Sequence, residues 1–533
     1  MISLRQLLKA AQNRAIVHQS GLLLLVSSFL LALSVFYPQL QAGLWIADDH
    51  QILDFVSQVG RTPSGYITVI THPSDFPLAS EARLRPVYWP IRISEIFIWY
   101  DNAFGWHFAR LLMITAFLAL IAQSMRELTN SIFAILIIFL VVQLDSVAGV
   151  WTRLGNAEAY AAIGVAAILW ASTSLMKSAT ERTRASITSL VAMNLGVLLA
   201  VGSKENFFPF ALFLIATPGY AIWQRLRTPS IVVSWLAASV ITAVMAKHLV
   251  KTLASRSPDG QSTLANLFGQ VFDGITILLP FLWFPLLLFA AAVVASSIVS
   301  STRFTRPLSL DNVLFVGTCA ILTACCISQP TFHSGDWPAN DIYSRYNFVG
   351  WFCAFMIGAL ASAILYRSVL ITRTNNPVAR LSEAHKVVAC TVICSAFLLY
   401  QHPPIFDQAQ IKLNRTNLTD RNLSSVTQLT AEQNFDFLTI EVQGSRDYEA
   451  SISTIIHLRH RGVTVPIYVR VIPETDPQNQ PWLLNRLRNF SNEGKRGFSP
   501  IQEMNASSSK CLSIFFFSAS SNNSRCEKFV FSY

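Results

Sequence analysis

Long apolar runs recur through the first three-quarters of this chain, and no other feature narrows its fold as much. A helix needs roughly 17–25 apolar residues to cross the hydrocarbon of a bilayer, and about eleven such runs can be marked. They lie near 18–37, 107–125, 131–149, 157–176, 186–202, 205–224, 230–249, 271–299, 311–329, 347–367 and 385–401. Backbone inside lipid must satisfy its own hydrogen bonds, so each run is expected to be helical. Composition agrees: 13% of the 533 residues are charged and 52% are hydrophobic, where a soluble chain carries roughly 25% charged residues. The expected fold class is mainly α, a polytopic transmembrane helical bundle. The net charge of +10 is no nucleic-acid signal, because most basic residues sit in short segments between the apolar runs.

Those segments also set an orientation. Arg5, Lys9 and Arg14, then Arg126, then Lys177, Arg182 and Arg184, then Arg225 and Arg227, Arg303 and Arg306, and finally Arg367, Arg373, Arg380 and Lys386 fall on one set of span ends. This alternation marks the cytoplasmic side and puts the amino terminus inside. The first run lacks a small-residue cleavage site and reads as an uncleaved span. Two domains are expected: a membrane domain over 1–402, and a small soluble α/β domain over 403–533 on the outer side. In the second, Gln408 to Gln428 reads as a polar linker. Strands are expected at Phe435–Val442, Val463–Ile472, Lys510–Ser518 and Lys528–Tyr533, and helices at Asp447–Arg459 and Trp482–Phe490. Cys511 and Cys526 lie where a disulfide can persist. The other six cysteines fall within spans as small apolar residues.

The outer connectors hold what topology does not need. The first, residues 38–106, is far too long for a turn. It carries Asp48, Asp49 and His50 directly after the first span, and later Glu81, Arg83, Arg85 and Pro86. Farther on, Ile91, Ile96, Phe97 and Trp99 alternate with Arg92, Glu95 and Asp101, which suits a helix lying in the interface. The second connector holds Arg153, Asn156 and Glu158, and the third Ser203, Lys204 and Glu205. The fourth holds Arg256 and Asp259, and the fifth His333, Asp336, Asp341, Arg345 and Tyr346. Ionisable groups at a membrane boundary are expensive and point to function. Blander roles remain open at this stage: Asp48 and Asp49 as a helix cap, each cation as a headgroup-facing charge, and Lys204 with Glu205 as a self-neutralising pair.

An acidic pair just after span one, an Arg-x-Arg-Pro stretch at Arg83–Pro86, the Arg153–Glu158 segment and Ser203-Lys204-Glu205 before an apolar span together resemble the GT-C superfamily. These are membrane glycosyltransferases that use lipid-linked sugars, among them protein O-mannosyltransferases and bacterial enzymes that modify lipopolysaccharide and O-antigen. The resemblance covers residues 18–401 in layout; the tetratricopeptide-like repeats of one eukaryotic branch are not evident here. It implies a GT-C-type bundle in which Asp48 or Asp49 is the catalytic base or positions the acceptor. A sugar on polyprenyl phosphate is already activated, so the enzyme supplies a base for the incoming hydroxyl and positive charge for the departing phosphate. Arg85, Arg153, Lys204 and Arg345 are the candidates for the phosphate, since Arg in particular holds it through two parallel bonds. Arg83, Glu158, Glu205, His333 and Tyr346 are candidates for the acceptor or for support. No resident metal site is expected, although a divalent metal is one role open to the second carboxylate.

The expected activity is transfer of a sugar from a polyprenyl-phosphate donor to a hydroxyl of a glycan, lipid or protein. It would run by inverting displacement on the non-cytoplasmic face, in a bacterial inner membrane. Membrane lipid is then a partner and nucleic acid is not. The alternative is a secondary transporter or flippase of a lipid-linked or small polar substrate. That class usually shows Gly/Pro-broken spans in two similar halves, and no such repeat stands out.

Overall fold

The computed structural model describes residues 4–44, 60–71, 85–181, 186–204, 229–256, 383–442, 445–471, 498–501, 510–515 and 527–530, with Phe207, Ala359 and a few other single positions. Helix α1 spans Leu4–Phe36 and runs into a 3-10 turn at Tyr37–Gln41. There follow α2 (Pro63–Thr71), α3 (Tyr88–Trp99), α4 (Ala103–Leu128), α5 (Ser131–Val141), α6 (Asp145–Trp151), α7 (Ala157–Glu181), α8 (Ile187–Ser203), α9 (Pro229–Arg256), α10 (Glu383–Gln401) and α11 (Pro404–Gln433). The last part is β1 (Phe437–Val442), α12 (Ser445–His460), β2 (Ile467–Val471), β3 (Phe498–Ile501), β4 (Cys511–Phe515) and β5 (Glu527–Val530).

The protein is a mainly helical membrane protein with a small parallel sheet. Among the described residues, four helical segments are long and apolar enough to cross a membrane: Ser20–Gln41, Ala103–Leu128, Ala157–Leu175 and Ala384–Gln401. Shorter apolar helices occupy Ser131–Val141, Ile187–Ser203 and Pro229–Val244. The run expected near 131–149 is divided, because α5 stops at Val141 and α6 starts only at Asp145. The spans expected near 271–299, 311–329 and 347–367, and nearly all of 205–224, lie outside the described residues. Among the described residues, α7 packs on α4 and α8, α1 on α4 and α10, and α5 on α4 and α10.

Local sequence sets several of these boundaries. The side chains of Asn102 and Asn130 cap α4 and α5, accepting from the backbone N–H of Gly105 and Phe133 at 3.0 and 2.9 Å. Each satisfies a donor that the first turn would otherwise leave open. Between α7 and α8 the backbones touch. A Cβ on Gly196 would stand 2.8 Å from the carbonyl oxygen of Gly164, and one on Gly164 would stand 2.5 Å from Ala200 N. Without a hydrophobic drive between helices in lipid, such small-residue contact is what holds a pair together. Polar pairs add to it: Thr391 Oγ1 donates to Ser27 Oγ across α10 and α1 at 2.9 Å, and Asn194 Nδ2 to Ser234 Oγ across α8 and α9 at 2.7 Å.

Contacts at the helix termini define two ends of the bundle. At one, Arg126 Nη1 donates to Ser20 Oγ at 2.6 Å and Lys177 Nζ lies 2.6 Å from Glu127 Oε2. At the other, Gln39 meets His107 and Arg110 meets Tyr160.

After α10 the chain departs from the sequence reading. The stretch expected as a linker, Gln408 to Gln428, lies inside the 30-residue helix α11. Its buried positions are Ile405, Phe406, Ala409, Lys412, Thr416, Thr419, Leu423 and Val426, a 3-4 spacing that makes one continuous stripe. Threonine and lysine at stripe positions hide that period from a hydropathy reading. The sheet is parallel throughout, in the order β3-β2-β1-β4-β5. Leu438 pairs with Ile467 on one side of β1 and with Leu512 on the other. β1 and β4 are buried along their whole length, as parallel strands covered on both faces are. The edge strand β5 exposes Glu527 and Lys528, charges that discourage a further strand from adding there. β3 was not anticipated from sequence, and the helix expected at Trp482–Phe490 lies outside the described residues. Cys511 is disulfide-bonded; Cys526, its expected partner, lies outside them.

Candidate functional site

Three connectors that are distant in sequence meet around α3. Val87 N donates to Gly202 O at 3.1 Å, joining the start of α3 to the end of α8. Tyr88 Oη donates to Gly155 O at 2.8 Å, and Arg92 Nη1 to Leu154 O at 2.9 Å, joining it to the turn before α7. The segments around Arg85, around Glu158 and around Lys204 therefore share one site.

Its centre is a buried charged network. Glu95 Oε2 lies 3.8 Å from Arg92 Nη1 and 3.8 Å from Arg110 Nη2. Tyr160 donates its hydroxyl hydrogen to Glu95 and accepts from Arg110 Nη2 at 3.1 Å. Arg110 also donates to the Leu154 carbonyl. Beside this network, Lys204 and Glu158 form a buried ion pair. Aromatic rings line the cations: Arg92 stands 4.5 Å from the centroid of Trp106, Arg110 4.9 Å from that of Tyr160, and Arg85 5.6 Å from that of Tyr88. Burial pushes the Tyr88 hydroxyl up from its ordinary value despite the opposing pull of Arg92, Arg85 and Arg110. Tyr88 is thus a neutral donor.

Arg92 is 0% exposed. It belongs to the alternation expected of an interfacial helix, and its guanidinium lies over the ring of Trp106. Its Nε and Nη2, and Nε1 of Trp89 three residues earlier, find no hydrogen-bond partner among the described residues. Among the described residues, the carboxylates of Glu95 and Glu158 and the cations of Arg85, Arg92, Arg110 and Lys204 gather here.

A second arrangement fixes the root of the acidic stretch. His107, buried in α4, takes a contact from Gln39 Nε2 at Nδ1 (3.2 Å) and faces Gly43 O with Nε2 at 3.3 Å. That geometry suits a ring protonated at Nε2. Gly43 N donates to Thr416 Oγ1 of α11 at 3.0 Å. The backbone N–H and C=O of Gly43 are both held, five residues before Asp48.

Of the expected site residues, Arg85, Glu158 and Lys204 come together here, and Arg153 adjoins Leu154 in the same connector. Lys204 has Glu158 as its buried partner. Asp48, Asp49, Arg83, Glu205, His333, Arg345 and Tyr346 lie outside the described residues. Sequence reading did not single out Arg110, Tyr160 or His107. The signal was present, since each is a polar group set in an otherwise apolar run, where such groups are functional by default. Among the described residues no group of three or more His, Cys, Asp or Glu is placed to hold a metal ion.

No family model matches the chain, and no curated protein matches it. Among solved structures it is similar to the crystal structure of the Archaeoglobus fulgidus oligosaccharyltransferase tethered through a disulfide bond to an acceptor peptide containing the NVT sequon. The identity is 11% and the TM-score 0.39, over 83% of this chain and 63% of that one. The chain thus spans less than two thirds of that protein's length, and a TM-score this low carries no argument about activity.

Proposed function

We propose that the protein is an integral-membrane glycosyltransferase that moves a sugar from a polyprenyl-phosphate donor to a hydroxyl acceptor on the non-cytoplasmic face. The observation that carries this reading is Arg92. A fully buried guanidinium with two nitrogens unpartnered among the described residues is costly unless an anion completes it. The phosphate of a lipid-linked sugar is such an anion, and it would arrive from the membrane beside the cluster. Arg85, half-buried over Tyr88, stands at the same connector and would take further phosphate charge. Lys204 is a weaker candidate than sequence suggests, because Glu158 already neutralises it.

In the reaction, the acceptor oxygen forms a bond to the anomeric carbon as the bond from that carbon to the phosphate oxygen breaks. The leaving polyprenyl phosphate takes the electron pair, and the hydroxyl proton passes to a carboxylate. Asp48 or Asp49 fills that last role. A single in-line displacement inverts the anomeric centre.

The test is release of polyprenyl phosphate from a panel of polyprenyl-phosphate sugars by the reconstituted protein. Release that falls by about 100-fold or more in Arg92→Ala, as when a charge-stabilising donor is lost, and recovers only in part in Arg92→Lys, supports the reading. No release from any donor, with uptake of a lipid-linked sugar into proteoliposomes instead, would establish the transporter class.

A further inference from the structure

A cleft of about 590 Å³ opens where α11 and α12 meet the 3-10 turn and the start of α4, and Leu44 at its edge leads directly into the acidic stretch. We propose that this cleft seats the acceptor, and that the acceptor group it takes is an uncharged or amino-bearing saccharide rather than an acidic one. The proposal rests on the glycosyltransferase reading for the word acceptor, but the binding site itself stands on geometry.

Three observations meet in the cleft. Thr419 lines it and is 1% exposed, and its Oγ1 has no hydrogen-bond partner among the described residues. A buried hydroxyl left open destabilises the fold, and a ligand hydroxyl would complete it. Next, the polar rim supplies paired groups suited to vicinal hydroxyls. Arg461 binds the Asp420 carboxylate and donates to Ser424 Oγ at 2.9 Å. His460 faces Tyr100 Oη through Nδ1 at 3.2 Å and Asp101 through Nε2 at 4.0 Å. Finally, Phe104 on the lining is 57% exposed, its ring stacked on Phe108 at 5.9 Å. An open aromatic face beside carboxylate, imidazole and guanidinium groups is how proteins hold the C–H face and the hydroxyl edge of a sugar ring. A few convergent polar groups fix orientation in such sites.

Charge sets the preference. Among the described lining residues, Asp101 and Asp420 contribute two carboxylates against the single guanidinium of Arg461. A uronate would meet repulsion; an amine would meet attraction.

The experiment is saturation-transfer NMR on the full chain in nanodiscs. The probes are maltotriose, fully deacetylated chitotriose, trigalacturonate and a threonine-containing tripeptide. Saturation of maltotriose or chitotriose, with trigalacturonate and the tripeptide silent, is the expected result. Thr419→Val keeps the shape and removes the open hydroxyl. It should weaken saccharide binding about five- to tenfold, the share of one hydrogen bond, without lowering thermal stability. Asp101→Asn with Asp420→Asn should admit trigalacturonate. Preferential saturation of the tripeptide or the uronate, no saccharide binding, or unchanged binding in Thr419→Val overturns the proposal. The two readings fail separately. Saccharide binding sensitive to Thr419 without donor turnover removes the transferase reading and leaves the cleft; donor turnover without such binding does the reverse.

Discussion

Lys204 and Glu158 stand 46 residues apart in sequence and form a buried ion pair that closes α8 onto the first turn of α7. Each charge suits its place, since a cation stabilises a helix carboxyl end and a carboxylate a helix amino end. With side chains 7% and 5% exposed, neither has water to fall back on. Removing one partner takes a buried opposite charge away from the other.

Lys204→Ala or Glu158→Ala alone should therefore lower stability by about 3–5 kcal/mol, while Lys204→Met with Glu158→Leu should recover most of that loss. Thermal unfolding in nanodiscs, read as a double-mutant cycle, checks it. Because Lys204 is committed to Glu158, the double variant should also keep most of its donor turnover, unlike Arg92→Ala. Equal, additive losses in the two single variants would mean the pair is not coupled.

Packing of α7 on α8 gives the next expectation. Gly164→Ala puts a Cβ where Ala200 N leaves 2.5 Å, and backbone cannot move aside as a side chain can. The helices must separate, at about 1–3 kcal/mol for overpacking. Gly21→Ala in α1 meets nothing within 4 Å and should be neutral or slightly stabilising, as Ala for Gly in a helix is. Comparable melting losses in both variants would argue against the close approach.

Glu441 in β1 lies beside Arg470 of β2, 3.6 Å away and opposite in register. Burial raises its carboxyl pKa, and Arg470 offsets that only in part. A carboxyl whose folded pKa lies above its unfolded value of about 4.3 binds its proton more tightly in the folded state. Its stabilising contribution is full below the unfolded value and is lost as pH rises through the folded one. Hydrogen exchange of β1 and β2 should therefore show slower opening at mildly acidic pH than at neutral pH. Glu441→Gln should flatten that dependence, and Arg470→Ala should steepen it. A pH-independent opening rate in the native chain, corrected for intrinsic exchange, would dismiss Glu441 as its source.

These elements differ in how plainly the sequence announced them. α1, α4, α7 and α8 were legible because lipid demands an unbroken apolar run, and composition records that directly. α11 was not, because Lys412, Thr416 and Thr419 fill stripe positions that hydropathy counts as polar. The site divides the same way. Arg85, Glu158 and Lys204 could be named as ionisable groups at span ends, but which of them pair depends on how α7 and α8 pack. Arg92 stood only as one member of an interfacial helix's alternation, which says nothing of a neighbouring connector that covers it. Here Leu154 and Trp106 supply that cover.

The Gly43 clamp ties the described bundle to the acidic stretch beyond it. His107 and Thr416 hold the C=O and N–H of one residue, Gly43, and Asp48 follows five residues later. If a carboxylate there accepts the acceptor's proton, one of Asp48→Asn and Asp49→Asn should lower transfer by about 100-fold or more. The other should have a smaller effect, because adjacent side chains point in different directions. His107→Ala and Thr416→Val act only through position. They should lower kcat by about tenfold, as small misplacements of a reacting group do, while KM for the lipid-linked donor changes by less than about twofold. The bell or shoulder in the pH–rate profile should stay where it is, since neither residue is the titrating base. Near-normal transfer in both Asn variants would send the search for the base to Glu158, Glu205 or Asp341. A fall in donor affinity with unchanged kcat in His107→Ala would place the clamp on the donor side instead.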